Sequence, residues 1–160
     1  MAPSADDLEY RNQREVLEEL VGSMAHGIEA VRDTQMLPFM GRTRFDPKPR
    51  SAMFWRSQQT IAVMRAHVEG LQQFFAASGL NEAIGTGNRW LPMSVRFDFE
   101  QALLALDGVS DPVSAVLEDA AQMRGLNSLL DLTRDLQNLV GVSLPELLGL
   151  SVGFSALDGD

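Results

Sequence analysis

The stretch Ser51-Ala-Met-Phe-Trp-Arg-Ser-Gln-Gln-Thr-Ile-Ala-Val-Met-Arg-Ala-His-Val-Glu-Gly-Leu-Gln-Gln-Phe-Phe-Ala-Ala-Ser-Gly79 decides the fold class. Phe54, Ile61, Met64, Val68, Leu71 and Phe75 recur at helical spacing. Ser51 suits an N-cap and Gly79 a C-terminal stop. The spacing therefore predicts one long helix from Ser51 toward Gly79 with an apolar stripe. A free bundle helix carries charge opposite such a stripe. At about 100° per residue, Trp55, Gln59, Ala62, Ala66 and Ala77 fall there instead, with Gly70 close by. Two readings follow. The face is exposed and uses alanine for helix propensity, or another domain or subunit docks on it, with Trp55 as anchor.

Further helices extend the pattern in both directions. Ser4, Asp6 and Asp7 suit a helix start. Leu17, Leu20, Val21, Met24, Ile28 and Val31 then define one face of a first helix that ends near Pro38. Residues 38 to 50 read as a basic loop. Residues 80 to 92, with Gly85, Gly87 and Pro92, read as a long connection with one short helical turn. A third helix is expected from Met93 to Asp107 and a fourth from Val113 to Val140, kinked near Gly125. A short helix starts at Ser143-Leu-Pro-Glu and precedes an extended tail. With no strand alternation and no internal repeat, the expected fold is all-α. It is a single domain over residues 1–160, a four-helix bundle of the up-down type.

Composition narrows the function classes. The 160 residues are 45% apolar and 22% charged, which is ordinary globular usage. The net charge of −9 disfavours nucleic acid, whose phosphates need clustered Lys and Arg. It also disfavours anionic lipid and permits cations. The absence of cysteine excludes thiolate zinc sites, iron–sulfur clusters and disulfides. No apolar run is long enough to span a membrane. The start Met-Ala-Pro-Ser-Ala-Asp-Asp has neither the basic nor the apolar region of a signal peptide.

Few residues are candidates for chemistry. His26 and Glu29 stand i, i+3 on the first helix, a spacing that carboxylate–histidine metal sites use in bundles. Their angular positions put them away from the core stripe, among Glu15, Glu18 and Glu19, which predicts a solvated acidic face. His67 is expected at the flank of the second helix. Two histidines and no His-Glu-x-x-His rule out a three-histidine zinc centre built from this chain. Arg56 and Ser57, with Arg42, Arg44, Lys48 and Arg50 nearby, could hold a carboxylate or phosphate, or Arg56 could pair with a local acid. Asp158 and Asp160 could bind a cation, but Phe154 and Leu157 read as anchors of a tail whose acids pair with arginine. There is no nucleophile elbow and no phosphate loop.

Three segments, in consistent order, carry a family resemblance. They are His26-Gly-Ile-Glu-Ala-Val-Arg-Asp-Thr-Gln-Met-Leu-Pro-Phe-Met-Gly41, Phe54-Trp-Arg-Ser57 and Leu147-Leu-Gly-Leu-Ser-Val-Gly-Phe-Ser-Ala-Leu-Asp-Gly-Asp160. The chain resembles the C-terminal half of imelysin-like proteins. The resemblance implies a two-domain, all-helical family of periplasmic or outer-membrane-associated proteins, linked to iron uptake and classed with metallopeptidases on a Gly-x-His-x-x-Glu motif. The nearest string here, Met24-Ala-His26-Gly-Ile-Glu29, lacks the glycine, so no metal-ligand role is carried over to His26 or Glu29. The expectation is a non-catalytic helical domain that completes an interdomain cleft in iron or haem acquisition. Its partner would be an N-terminal imelysin-like domain or a second copy. Iron or another divalent metal would be bound jointly with that domain, and Trp55, Ala62 and Ala66 would form the interface. The alternatives are half of a metal-dependent peptidase site, or a structural, dimerising bundle.

Overall fold

The computed structural model describes residues 12–41 and 46–150, and all regular structure among them is helical. In chain order the α-helices are α1 (Gln13–Ala30), α2 (Leu37–Met40), α3 (Thr60–Ala77), α4 (Leu80–Ala83), α5 (Trp90–Asp107), α6 (Val113–Glu118), α7 (Ala120–Asn138) and α8 (Leu144–Leu148). The four long ones, α1, α3, α5 and α7, close a ring. Each packs on the next, and α7 packs back on α1. Neighbours run antiparallel. Gly27 meets Leu71 while Gln35 meets His67, and Gly125 meets Ala105 while Asp98 feels the charge of Asp135. Met24, Ile28, Met64, Phe75, Phe99, Leu106, Leu126 and Leu129 fill the enclosed space.

The helix ends are where the sequence reading needs correction. Pro38 does not end the first helix. A proline lacks an N–H and clashes with the carbonyl four residues back, here that of Thr34. The chain relieves the clash by widening into a π turn over Val31–Met36, closed by the Leu37 N–H on the Arg32 carbonyl. Helix α2 follows directly and stops at Gly41, whose φ of 78° favours glycine. The same device recurs before Pro145. A π turn over Leu139–Ser143, closed by the Leu144 N–H on the Leu139 carbonyl, joins α7 to α8. Each π turn packs against the other's long helix. The helix start expected at Ser4, Asp6 and Asp7 lies outside the described residues, and Asn12 caps α1 by accepting from the Glu15 N–H.

The second helix starts nine residues later than expected. Ser51 belongs to a short 3₁₀ turn, Pro49–Ser51. Phe54 and Gln58 adopt positive φ, so the chain turns before Thr60. Two tertiary bonds fix the new start: Thr60 Oγ1 donates to the Met53 carbonyl, and Asp111 Oδ2 accepts from the Ile61 N–H. Phe54 thus leaves the predicted core stripe and is exposed, while Ala52 is buried in the core. The third long helix begins at Trp90 and takes Pro92 into its first turn.

The expected fourth helix is two helices. The break falls at Asp119, whose side chain caps α7 by accepting from the Ala121 and Gln122 N–H groups. Gly125 lies inside the unbroken run of α7. It lets the helix approach α5, since a Cβ there would sit 2.6 Å from the Ala105 carbonyl oxygen and 2.8 Å from Val109 Cγ2. Gly70, inside α3, faces open space. In thermal or urea unfolding, Gly125→Ala should therefore destabilise the fold by about 1–3 kcal/mol through overpacking. Gly70→Ala should stabilise it by roughly 0.5–1 kcal/mol through helix propensity.

Candidate functional site

A buried charged junction lies where α1 passes into its π turn. Glu29 ends up only 6% exposed, which corrects its expected place on a solvated face. The covering element is α7, whose Gln137 Oε1 accepts a bond from Arg32 Nη1. Arg32 Nη2 lies 3.9 Å from Glu29 Oε1. The same guanidinium clasps Asp33 in a two-pronged contact, 2.7 Å from Nε to Oδ1 and 2.8 Å from Nη2 to Oδ2. Successive residues of an α-helix do not face each other. The π turn holds more residues per turn, so it narrows the angle between neighbouring side chains and lets Arg32 and Asp33 meet. Hydrogen bonding to Asp33 raises the Arg32 pKa; burial opposes this, and the charges of Asp33 and Glu29 support it. A lone buried carboxylate costs several kcal/mol, and Arg32 is the counter-charge that makes Glu29 tolerable. Glu29 Oε2 has no hydrogen-bond partner.

Further along the same π turn, Gln35 Nε2 lies 2.8 Å from His67 Nδ1 on α3. Burial lowers the His67 pKa below 6.5. Neutral His67 with its proton on Nε2 accepts from Gln35 through Nδ1. Glu29, Arg32, Gln35, His67 and Gln137 therefore tie three helices together at one level of the fold.

The remaining sequence candidates are dispersed. His26 is exposed while Glu29 is buried beside a guanidinium, so the two do not share an environment. A cation at Glu29 would face the positive charge of Arg32. The pair does not fit a metal, and the described residues contain no group of three side chains able to hold one. Trp55 is not on the back of the second helix. It sits in the turn before α3, half-buried against the core, with the Arg56 guanidinium 4.6 Å and that of Arg50 5.9 Å from its ring centre. Ser57 Oγ donates to the Phe54 carbonyl at 3.0 Å and closes the same turn. Ala62 and Ala66 are exposed on α3. Arg42 and Arg44 lie outside the described residues, as do Phe154, Leu157, Asp158 and Asp160.

Sequence reading missed one acidic pocket. Ser94 and Asp98 of α5 and Asp135 and Asn138 of α7 line an open cavity of about 330 Å³ together with Leu139. Burial, then the charge of Asp135, raises the Asp98 pKa above 3.8. Nothing in the spacing of two residues on separate helices could have paired them.

An all-helical domain organised around a buried charged junction is the class of protein this structure defines. The imelysin (peptidase M75) family model matches residues 2–140, and the chain belongs to the imelysin family. The match includes the segments around His26 and Phe54 and stops before the one that begins at Leu147. No curated protein and no solved structure matches the chain.

His67 yields a pH prediction. Its folded pKa lies below its unfolded value of 6.5, so the unfolded state binds more protons as the pH falls through that value. The contribution of neutral His67 is full above pH 6.5 and declines below it. The unfolding free energy of the wild type should therefore fall more steeply with acidification below pH 6.5 than that of His67→Gln. Parallel profiles would contradict the assignment.

Proposed function

We propose that this chain is a non-catalytic helical domain of an imelysin-type protein that works in the periplasm or at the outer membrane in acquiring iron or haem. In this reading it forms one wall of a cleft, completed by an N-terminal imelysin-like domain or a second copy. Iron or another divalent metal is cargo held by that cleft rather than a resident of this bundle. Family membership supports the reading, as does the net charge of −9, which suits cationic cargo.

One observation carries the placement of the cleft wall. Ala62 and Ala66 of α3 are exposed, and Gly70 on the same helix has open space beyond it, so a second backbone can approach closely there. Trp55 takes a lesser part than the sequence suggests, because one side of it already packs on the core. Arg56 and Ser57 likewise serve the turn that holds Trp55. Glu29 already faces the Arg32 guanidinium, which supports a binding role over a hydrolytic one, since a metal-activated water needs ligands that no cation already occupies.

The test is complementation in the source organism. A strain lacking the gene should grow poorly under iron limitation and recover with the wild-type gene. An Ala62→Arg, Ala66→Arg double variant should melt like the wild type, because both sites face water, yet fail to restore growth. Full rescue by that variant, or a tagged protein found only in the cytosol, would overturn the reading.

A further inference from the structure

Helix α5 is apolar on two opposite faces. Leu91, Val95, Phe99, Ala102 and Leu106 are buried in the core. At about 100° per residue, Trp90, Met93, Phe97 and Leu104 point roughly the other way, and they are 52%, 68%, 57% and 59% exposed. Single exposed hydrophobic residues are ordinary. Four on one stripe, spaced three, four and seven apart, make the seam that one helix presents to another. None of the described residues covers them.

We infer that this stripe is where two copies of the chain associate, through antiparallel pairing of their α5 helices about a two-fold axis near Phe97. The charges beside the stripe select this partner. The α3-facing flank of α5 carries Arg96 and Glu100, which line one groove with Gln72 and Gln73 of α3, and Asp107, which pairs with Arg65. Arg89 continues the same flank just before the helix. The flank is thus basic in its N-terminal half and acidic in its C-terminal half. In a parallel two-fold pair this flank would lie against the partner's opposite flank, so Arg96 and Glu100 would not meet their counterparts. An antiparallel copy sets Arg96 beside the partner's Glu100 and Glu100 beside the partner's Arg96. The same register brings Trp90 against the partner's Leu104, with Phe97 meeting its own symmetry mate. A self-complementary patch of this kind is what a two-fold interface requires. The inference does not depend on the cleft proposed at α3, because it uses a different helix face and no cargo.

Sedimentation of the full chain over a wide concentration range tests the pairing. The wild type should show a reversible monomer–dimer equilibrium. Phe97→Glu should weaken it by about tenfold or more, with helical content and melting temperature unchanged, since Phe97 is exposed. Arg96→Glu should also weaken it. Adding Glu100→Arg to that variant should restore dimerisation, because the reversed charges again face each other across the axis. A wild type that stays monomeric at the highest concentration would overturn the inference. So would a dimer indifferent to Phe97→Glu, or a charge-swapped double variant no better than Arg96→Glu.

Discussion

A buried carboxylate needs a cation, and the Glu29–Arg32 pair is the constraint around which the fold is arranged. Without Arg32, Glu29 would be an uncompensated charge in the packed interior. Arg32 meets Glu29, Asp33 and Gln137 together because the helix widens into a π turn at that point. The π turn in turn follows from Pro38, which cannot be accommodated in an undisturbed α-helix. One proline thus sets the backbone, the backbone sets the side-chain cluster, and the cluster ties α1 to α7. The second π turn, ahead of Pro145, lies against α1 and repeats the logic in backbone form.

That chain of causes marks where the sequence was legible. The stripes of α1, α3 and α7 were plain from periodicity, because Met24, Ile28, Met64, Val68, Leu126 and Leu129 are buried at helical spacing. The start of α3 was not legible. Propensity favours a helix from Ser51, but Asp111, fifty residues away, supplies the cap at Ile61. The end of the first helix was not legible because a proline usually marks a boundary, and here the π turn absorbs it. Glu29 was misplaced for a related reason. Angular bookkeeping from one apolar stripe assigns it to the surface, yet α7 covers a second face of α1. The partner on that face, Gln137, carries no local signal. Trp55 was misplaced because the helix it was assigned to begins five residues after it.

Inside, Arg32 holds Asp33, Glu29 and Gln137 and Gln35 holds His67, while Glu29 Oε2 and Gln35 Oε1 are buried without a hydrogen-bond partner. Outside, α3 offers a small-residue face and α5 an apolar stripe, each on its own side of the groove lined by Gln72, Gln73, Arg96 and Glu100. Such a distribution suits a protein that acts by holding other molecules. Membership of the imelysin family places this chain in a group named for peptidases. The string Met24-Ala-His26-Gly-Ile-Glu29 gives it a histidine in water and a glutamate in the interior, which are different tools.

The claim that rests most directly on physics is that the Arg32 junction is a structural clasp between α1 and α7. A double-mutant cycle in chemical denaturation, combining Arg32→Met with Gln137→Ala, measures that clasp. The account predicts a coupling free energy of about 1 kcal/mol or more, as for groups sharing one buried network. Losses that simply add would mean that the two helices do not meet through these side chains, and would contradict it.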